Sequence, residues 1–222
     1  MLERMYGITP QDELPPSELE VPGLSIVDEE NGESYGRFLV QPLEKGWGVT
    51  LGNPIRRILL NSLPGTAITW IKIDGIQHEY STLENMREGI VEFILNVKGV
   101  RIKSLTDRPG RLRLDVSGEG EIKAGDIMAT SDFEIVNPDH HLATLDNEKA
   151  RLSVEFNVDQ GTGYLVGSND EGLPIGVLPV DAIFSPVRKV NFQVEPTRVG
   201  QNSNLEKLVI EVWTDKTISP LE

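Results

Sequence analysis

The sequence contains no cysteine in 222 residues. That absence removes disulfides, thiolate nucleophiles and cysteine-ligated zinc or iron–sulfur clusters together, and it suits a reducing compartment. No segment approaches the ~20 consecutive apolar residues of a membrane span, and the first residues, "MLERMYGITPQDELPPSELE", hold no apolar core of the signal-peptide kind. A membrane role is therefore not expected, and a cytoplasmic setting is. An excess of positive charge is lacking too: 35 acidic against 21 basic side chains give a formal net charge of −14. Such a molecule repels a phosphate backbone, so strong direct nucleic-acid binding is not expected of it.

What is present is globular. Hydrophobic residues make up 38% and charged residues 25%, well away from the composition of disordered chains. The length fits one large domain or two modest ones. Residues 1–23 combine Asp12, Glu13, Glu18 and Glu20 with Pro10, Pro15, Pro16 and Pro22, which predicts an extended acidic lead-in.

"YGRFLVQPL" (35–43) has strand composition, and "EKGWGVTLGN" predicts a turn launching a helix, with Asn53 as its N-cap and Pro54 at its first position. That helix is expected to stop near Ser62, before Pro64 and Gly65. "AITWIKIDGIQHEYS" reads as a strand with Ala67, Ile71 and Ile73 on one face and Ile68 and Trp70 on the other, turning at Asp74-Gly75. A second helix is expected from a Ser81/Glu84 capping box to Gly99, with Met86, Ile90, Val91, Ile94, Leu95 and Val97 as its apolar face. Short alternating runs follow from Val100 to about Val166, separated by turn residues at roughly 8 to 12 positions, a β-domain pattern. "GSNDEGLPIG" (167–176) reads as a loop. Two further strands broken at Ser185-Pro186 come next, and then a strand over 206–215 with Leu208, Ile210 and Val212 on one face.

Catalytic patterns fail on spacing. His78-Glu79 begins H-E-x-x-H, but position 82 is Thr, so His78 reads as structural. His140 and His141, with Asp139, are adjacent residues that a strand would point to opposite faces, which argues against one shared metal ion. Gly161, Gly163 and Gly167 make G-x-G-x-x-x-G with no helix after it, so they read as turn glycines rather than a dinucleotide site. No Walker A or G-x-S-x-G pattern appears. Paired carboxylates brought together only by folding are not visible in sequence, so a hydrolase built that way, or a free-standing β-rich binding module, stays open at this point.

The first helix, "GNPIRRILLNS", carries more information. At 100° per residue, Leu51, Ile55, Ile58, Leu59 and Leu63 span about 140° of one side. Arg56 and Arg57 flank Leu60 on the other. An apolar centre rimmed by cations suits a protein interface as well as a solvated face.

The stretch "PLEKGWGVTLGNPIRRILLNSLPGTA", then "DGIQHEYST" and "GIVEFILNVKG", and later "PVDAIFSPVRKVNFQVEPTRVGQ" and "LEKLVIEVWTDKTISPLE", resemble the amino-terminal domain of the bacterial RNA polymerase alpha subunit. The resemblance runs from about Tyr35 to Glu222. It implies a non-catalytic scaffold that dimerises and recruits the beta and beta-prime subunits, binds no cofactor itself, and leaves the Mg2+ of the assembled polymerase to other subunits. It implies an α+β fold in which a discontinuous dimerisation subdomain (24–64 plus 178–222) of helices and antiparallel sheet carries an inserted, mainly β subdomain (65–177). It implies Leu51, Ile55, Ile58 and Leu59 at the dimer interface, Arg57 with its neighbour Arg56 against the beta subunit, and Lys98 and Val180 against beta-prime. Asn202 and Asn204 stand where relatives commonly carry Arg and Asp. The family continues past "SPLE" into a long helix that completes the dimer, so self-association of residues 1–222 is expected to be weaker than that of a longer chain.

Overall fold

The computed structural model describes residues 23–26, 32–168, 173–200 and 202–221; residues 1–22 of the acidic lead-in fall outside them. Two helices and fourteen strands follow in order among those residues. They are β1 (Gly23–Ile26), β2 (Tyr35–Glu44), α1 (Trp47–Asn61), β3 (Pro64–Ile73), α2 (Ile90–Lys98), β4 (Ile102–Ser104), β5 (Gly110–Ser117) and β6 (Gly120–Lys123). After these come β7 (Phe133–Ile135), β8 (His141–Leu145), β9 (Arg151–Thr162), β10 (Tyr164–Leu165), β11 (Val177–Pro179), β12 (Ala182–Ile183), β13 (Val187–Val199) and β14 (Asn202–Thr214). The class is α+β, as expected.

The first and last segments meet in one antiparallel sheet, ordered β1-β2-β14-β13. Leu208, Ile210 and Val212 of β14 alternate onto one face, as the period of two requires, and α1 covers them. The middle of the chain builds a second sheet, β5-β9-β3-β4-β7, with β11 also on β3, and two small ribbons, β6-β8 and β10-β12. Its core is separate and holds Ile71, Phe93, Leu114 and Phe156, each fully buried. β11 lies in this second sheet, so the boundary expected at 177/178 falls inside a strand. The sheets part at Ser185-Pro186, between β12 and β13.

The helices start elsewhere than the sequence suggests. α1 begins at Trp47, six residues before Asn53. The left-handed Gly46 (φ +92°) turns the chain into it, and the Gly46 amide donates to the Glu206 carboxylate of β14 at 2.9 Å, which places an anion beside the positive end of the helix. Asn53 is inside, donating to the Val49 carbonyl. Pro54 is inside as well and costs about 3 kcal/mol. Leu51, Ile55, Leu59, Leu60 and Leu63 all pack half-buried on the sheet, at roughly 1 kcal/mol each, so packing outweighs the proline.

α2 begins at Ile90 with Gly89 as its N-cap, and the expected Ser81/Glu84 box does not form. Residues 85–88 are held instead along β8, through a Met86–Leu145 bridge and the Arg87 amide on the Thr144 carbonyl. The buried face is Ile90, Phe93 and Val97, while Val91 and Leu95 are exposed. Gly99 is not left-handed. Its lack of a side chain admits the His140 ring, whose Nε2 a Cβ there would approach to 2.5 Å.

In β3 the strict alternation fails. The pairing with β9 shifts between Ile68 and Trp70, making Thr69 the extra residue of a bulge. Ile68 therefore joins Ile71 and Ile73 in one core, while Ala67 packs with Ala182 and Phe184. Where β3 begins, a Cβ on Gly65 would overlap the Phe184 carbonyl oxygen, a backbone atom that no rotamer change can move. Gly65→Ala is expected to destabilise the chain by about 3 kcal/mol or more. Gly89→Ala, with open space around it, should change stability by less than about 1 kcal/mol. Urea unfolding midpoints of the two variants check this.

Candidate functional site

α1 sits on the sheet through glycines. Gly48 and Gly52 are buried, and a Cβ on either would come within 2.6 Å of Val194 or of the Phe192 ring. The glycine pair lets the helix backbone approach β13 closely. It also sets the rotation of the helix: the contact face centres on Gly48, Gly52, Ile55 and Leu59, with Leu51 and Leu60 on its flanks. Ile58, expected on the same stripe as Ile55, swings outward and is 54% exposed. Leu60, expected between the arginines, turns inward.

The outer face of α1 is accordingly mixed. Trp47, Val49 and Ile58 are about half exposed. Arg56 and Arg57 are exposed, and among the described residues neither takes part in a salt bridge. Arg57 and Ile58 line an open depression of about 500 Å³ with Asn53, Pro54, Asn61 and Ser62. On the inner edge of α1, Ile55, Leu59 and Leu63 rim an apolar groove of about 490 Å³ whose floor is Phe38, Val40, Ile210 and Val212. Two surfaces thus meet along one helix, an apolar groove and a cationic, partly aromatic ridge.

Lys98 ends α2, and its Nζ donates to Asp181 Oδ2 at 3.0 Å. Val180 is 1% exposed and belongs to the core of the second sheet, so its side chain offers almost no surface in the free chain. Lys98 is linked to Val180 only through Asp181, which follows Val180 directly.

The histidines part ways. His78 lies in a bend rather than a strand, its Nδ1 3.0 Å from Ser81 Oγ. His140 Nε2 reaches the Asn96 carbonyl at 2.8 Å. His141 lies between two carboxylates, Nε2 at 2.9 Å from Glu88 and Nδ1 at 3.1 Å from Glu121. Among the described residues no group of three or more acidic or histidine side chains is placed to hold a metal ion. Of the three motif glycines, Gly163 is a left-handed turn residue, Gly161 lies in β9 against the Phe184 ring, and the Gly167 amide donates to Asp181.

Glu88 had no signal in the sequence. Its carboxylate, 9% exposed, accepts from the Thr144 amide at 2.7 Å and the Thr144 hydroxyl at 3.0 Å. Burial alone would raise its pKa, but those hydrogen bonds and that of His141 outweigh burial and hold it below the usual carboxylate value. Burial likewise works to lower the His141 pKa, and the hydrogen bonds and charges of Glu88 and Glu121 overcome it and raise it.

Comparison with known proteins gives these surfaces a context. Residues 71–185 match the family described as the RNA polymerase Rpb3/RpoA insert domain. The chain is 50% identical over 204 residues to the DNA-directed RNA polymerase subunit alpha of Dehalococcoides mccartyi, covering 92% of this chain and 61% of that relative. It is 48% identical over 203 residues to that of Roseiflexus castenholzii (91% and 62%) and 49% identical over 207 residues to that of Alkaliphilus oremlandii (92% and 65%). The chain spans about three fifths of the length of these relatives.

The Glu88–His141 pair fixes a pH dependence. A raised imidazole pKa contributes stability in full below the ordinary value of about 6.5 and loses it as pH rises through the folded value; a lowered carboxyl pKa contributes above about 4.5 and loses it as pH falls. Thermal unfolding midpoints should therefore plateau between these limits. The His141→Gln variant should lack the decline above the plateau that the parent shows.

Proposed function

The chain belongs to the family of bacterial DNA-directed RNA polymerase alpha subunits, and on that premise we propose that it is the non-catalytic assembly scaffold of such an enzyme. It pairs with a second copy of itself and recruits the beta and beta-prime subunits for DNA-templated transcription in the bacterial cytoplasm. The nucleotidyl transfer and its Mg2+ belong to other subunits.

The observation that carries this reading is the outer face of α1. Exposed Ile58 shares a depression with exposed Arg57, while Trp47 and Arg56 are exposed elsewhere on the same helix. That composition is costly to leave in water and is typical of the residues that dominate interfaces. Arg57, on the depression it shares with Ile58, is the beta-subunit contact in this reading, and Arg56 flanks it. The apolar groove rimmed by Ile55 and Leu59 is where a second copy packs. Ile55 and Leu59 keep part of their surface for it, Leu51 is partly buried on the same helix, and Ile58 faces the depression it shares with Arg57 instead. The net charge of −14 makes direct DNA affinity poor at physiological salt.

Reconstitution with the two large subunits tests the reading. Arg57→Ala in the full-length subunit should lower capture of beta on the order of tenfold, with thermal stability unchanged because the side chain is exposed. Capture and stability falling together would instead make Arg57 a residue of the fold.

A further inference from the structure

Val91, Leu95 and Lys98 follow one another at spacings of four and three residues, so they form a single stripe on α2. The stripe is exposed: Val91 by 46% and Leu95 by 62%. At its end the Lys98 ammonium lies 5.3 Å from the centroid of the Tyr164 ring. Tyr164 and Leu165 of β10 are about half exposed themselves. An apolar surface thus runs from the second helix onto a two-stranded ribbon, with one lysine at the seam.

Asp181 is what closes that seam. One carboxylate oxygen accepts from Lys98 at 3.0 Å and the other from the Gly167 amide at 2.9 Å. The residue stands between buried Val180, whose amide donates to the Thr69 carbonyl at 2.9 Å, and β12, which pairs with β10. Gly167 packs so closely that a Cβ there would lie 2.9 Å from the Val180 carbonyl carbon, so only glycine brings its amide to this carboxylate. One side chain therefore ties together the end of α2, the segment after β10, and the turn that follows β11.

We infer that Asp181 is the positioning residue of the beta-prime contact, holding Lys98 against Tyr164 while buried Val180 acts on that contact only through Asp181. This rests on the proposed function and on the family resemblance, which implies that Lys98 meets beta-prime. The electrostatics agree. The Gly167 amide first, and then Lys98, hold the Asp181 carboxyl down at about 2. The hydrogen bond to Asp181 raises Lys98 in turn. Both groups are charged throughout the physiological range, and the partner meets an ion pair of fixed geometry set in apolar surroundings.

The test uses full-length subunit carrying Lys98→Ala, Asp181→Asn, Asp181→Glu or the first two together, reconstituted with the beta subunit and titrated with beta-prime. Lys98→Ala should weaken capture on the order of tenfold. Asp181→Asn should weaken it to a similar extent, the double variant no further than either single change, and Asp181→Glu should recover part of the loss. In parallel, the Asp181 carboxyl followed by NMR should titrate near 2 in the parent and higher in Lys98→Ala, a readout independent of any partner. Full capture by Lys98→Ala would sink the underlying reading and this inference with it. Loss in Lys98→Ala with full capture by Asp181→Asn would overturn the inference alone, as would losses that multiply in the double variant or an Asp181 titration indifferent to Lys98.

Discussion

The close approach of α1 to β13 is the constraint on which the rest depends. It is possible only because positions 48 and 52 carry no side chain. With any Cβ there, the helix would have to lift off Val194 and Phe192, and the half-buried contacts of Leu51, Ile55, Leu59 and Leu60 would loosen with it. Those contacts outweigh an interior proline, so the glycine seat decides whether the helix forms where it does. It also decides which side chains face out. The rotation that centres the glycines on the sheet is the one that exposes Ile58 and Arg57 and leaves the groove beside Ile55 and Leu59 open.

Much of the second sheet was legible because its strands are half buried. β9 reads Leu152, Val154, Phe156 and Val158 inward without a break, and β5 does the same with Leu112 and Leu114. A period of two survives wherever one face meets a core and the other meets water. It failed in β3 because the bulge at Thr69 depends on how β9 pairs, and nothing local to "AITWIKI" announces it. The start of α1 was missed for a similar reason. Asn53 and Pro54 are valid starting signals, but Gly46 and the distant Glu206 supply an earlier one. α2 starts late because residues 85–88 find hydrogen bonds on β8 that a helix would forgo.

The site was legible unevenly. Arg56 and Arg57 stand out on a helical wheel as a cationic pair, and the structure keeps both outside, but it turns Ile58 out and Leu60 in, against the wheel. Val180 belongs to the core, and its neighbour Asp181 carries the polar contact. No spacing rule pairs Lys98 with a residue 83 positions away, and the Gly167 amide that completes the site comes from a third segment. The pairing of Glu88 with His141 was equally invisible, since it depends on the same docking of 85–88 against β8. Residues that act through long-range pairs become visible only in the fold.

The central claim is that the glycine-seated helix presents an assembly face rather than a solvated one. Hydroxyl-radical footprinting of the full-length subunit, free and in the complex with both large subunits, tests it without altering a residue. Trp47 and Ile58, each about half exposed in the free chain, should lose most of their reactivity on assembly. Equal modification of both residues in the free and assembled states would contradict the account.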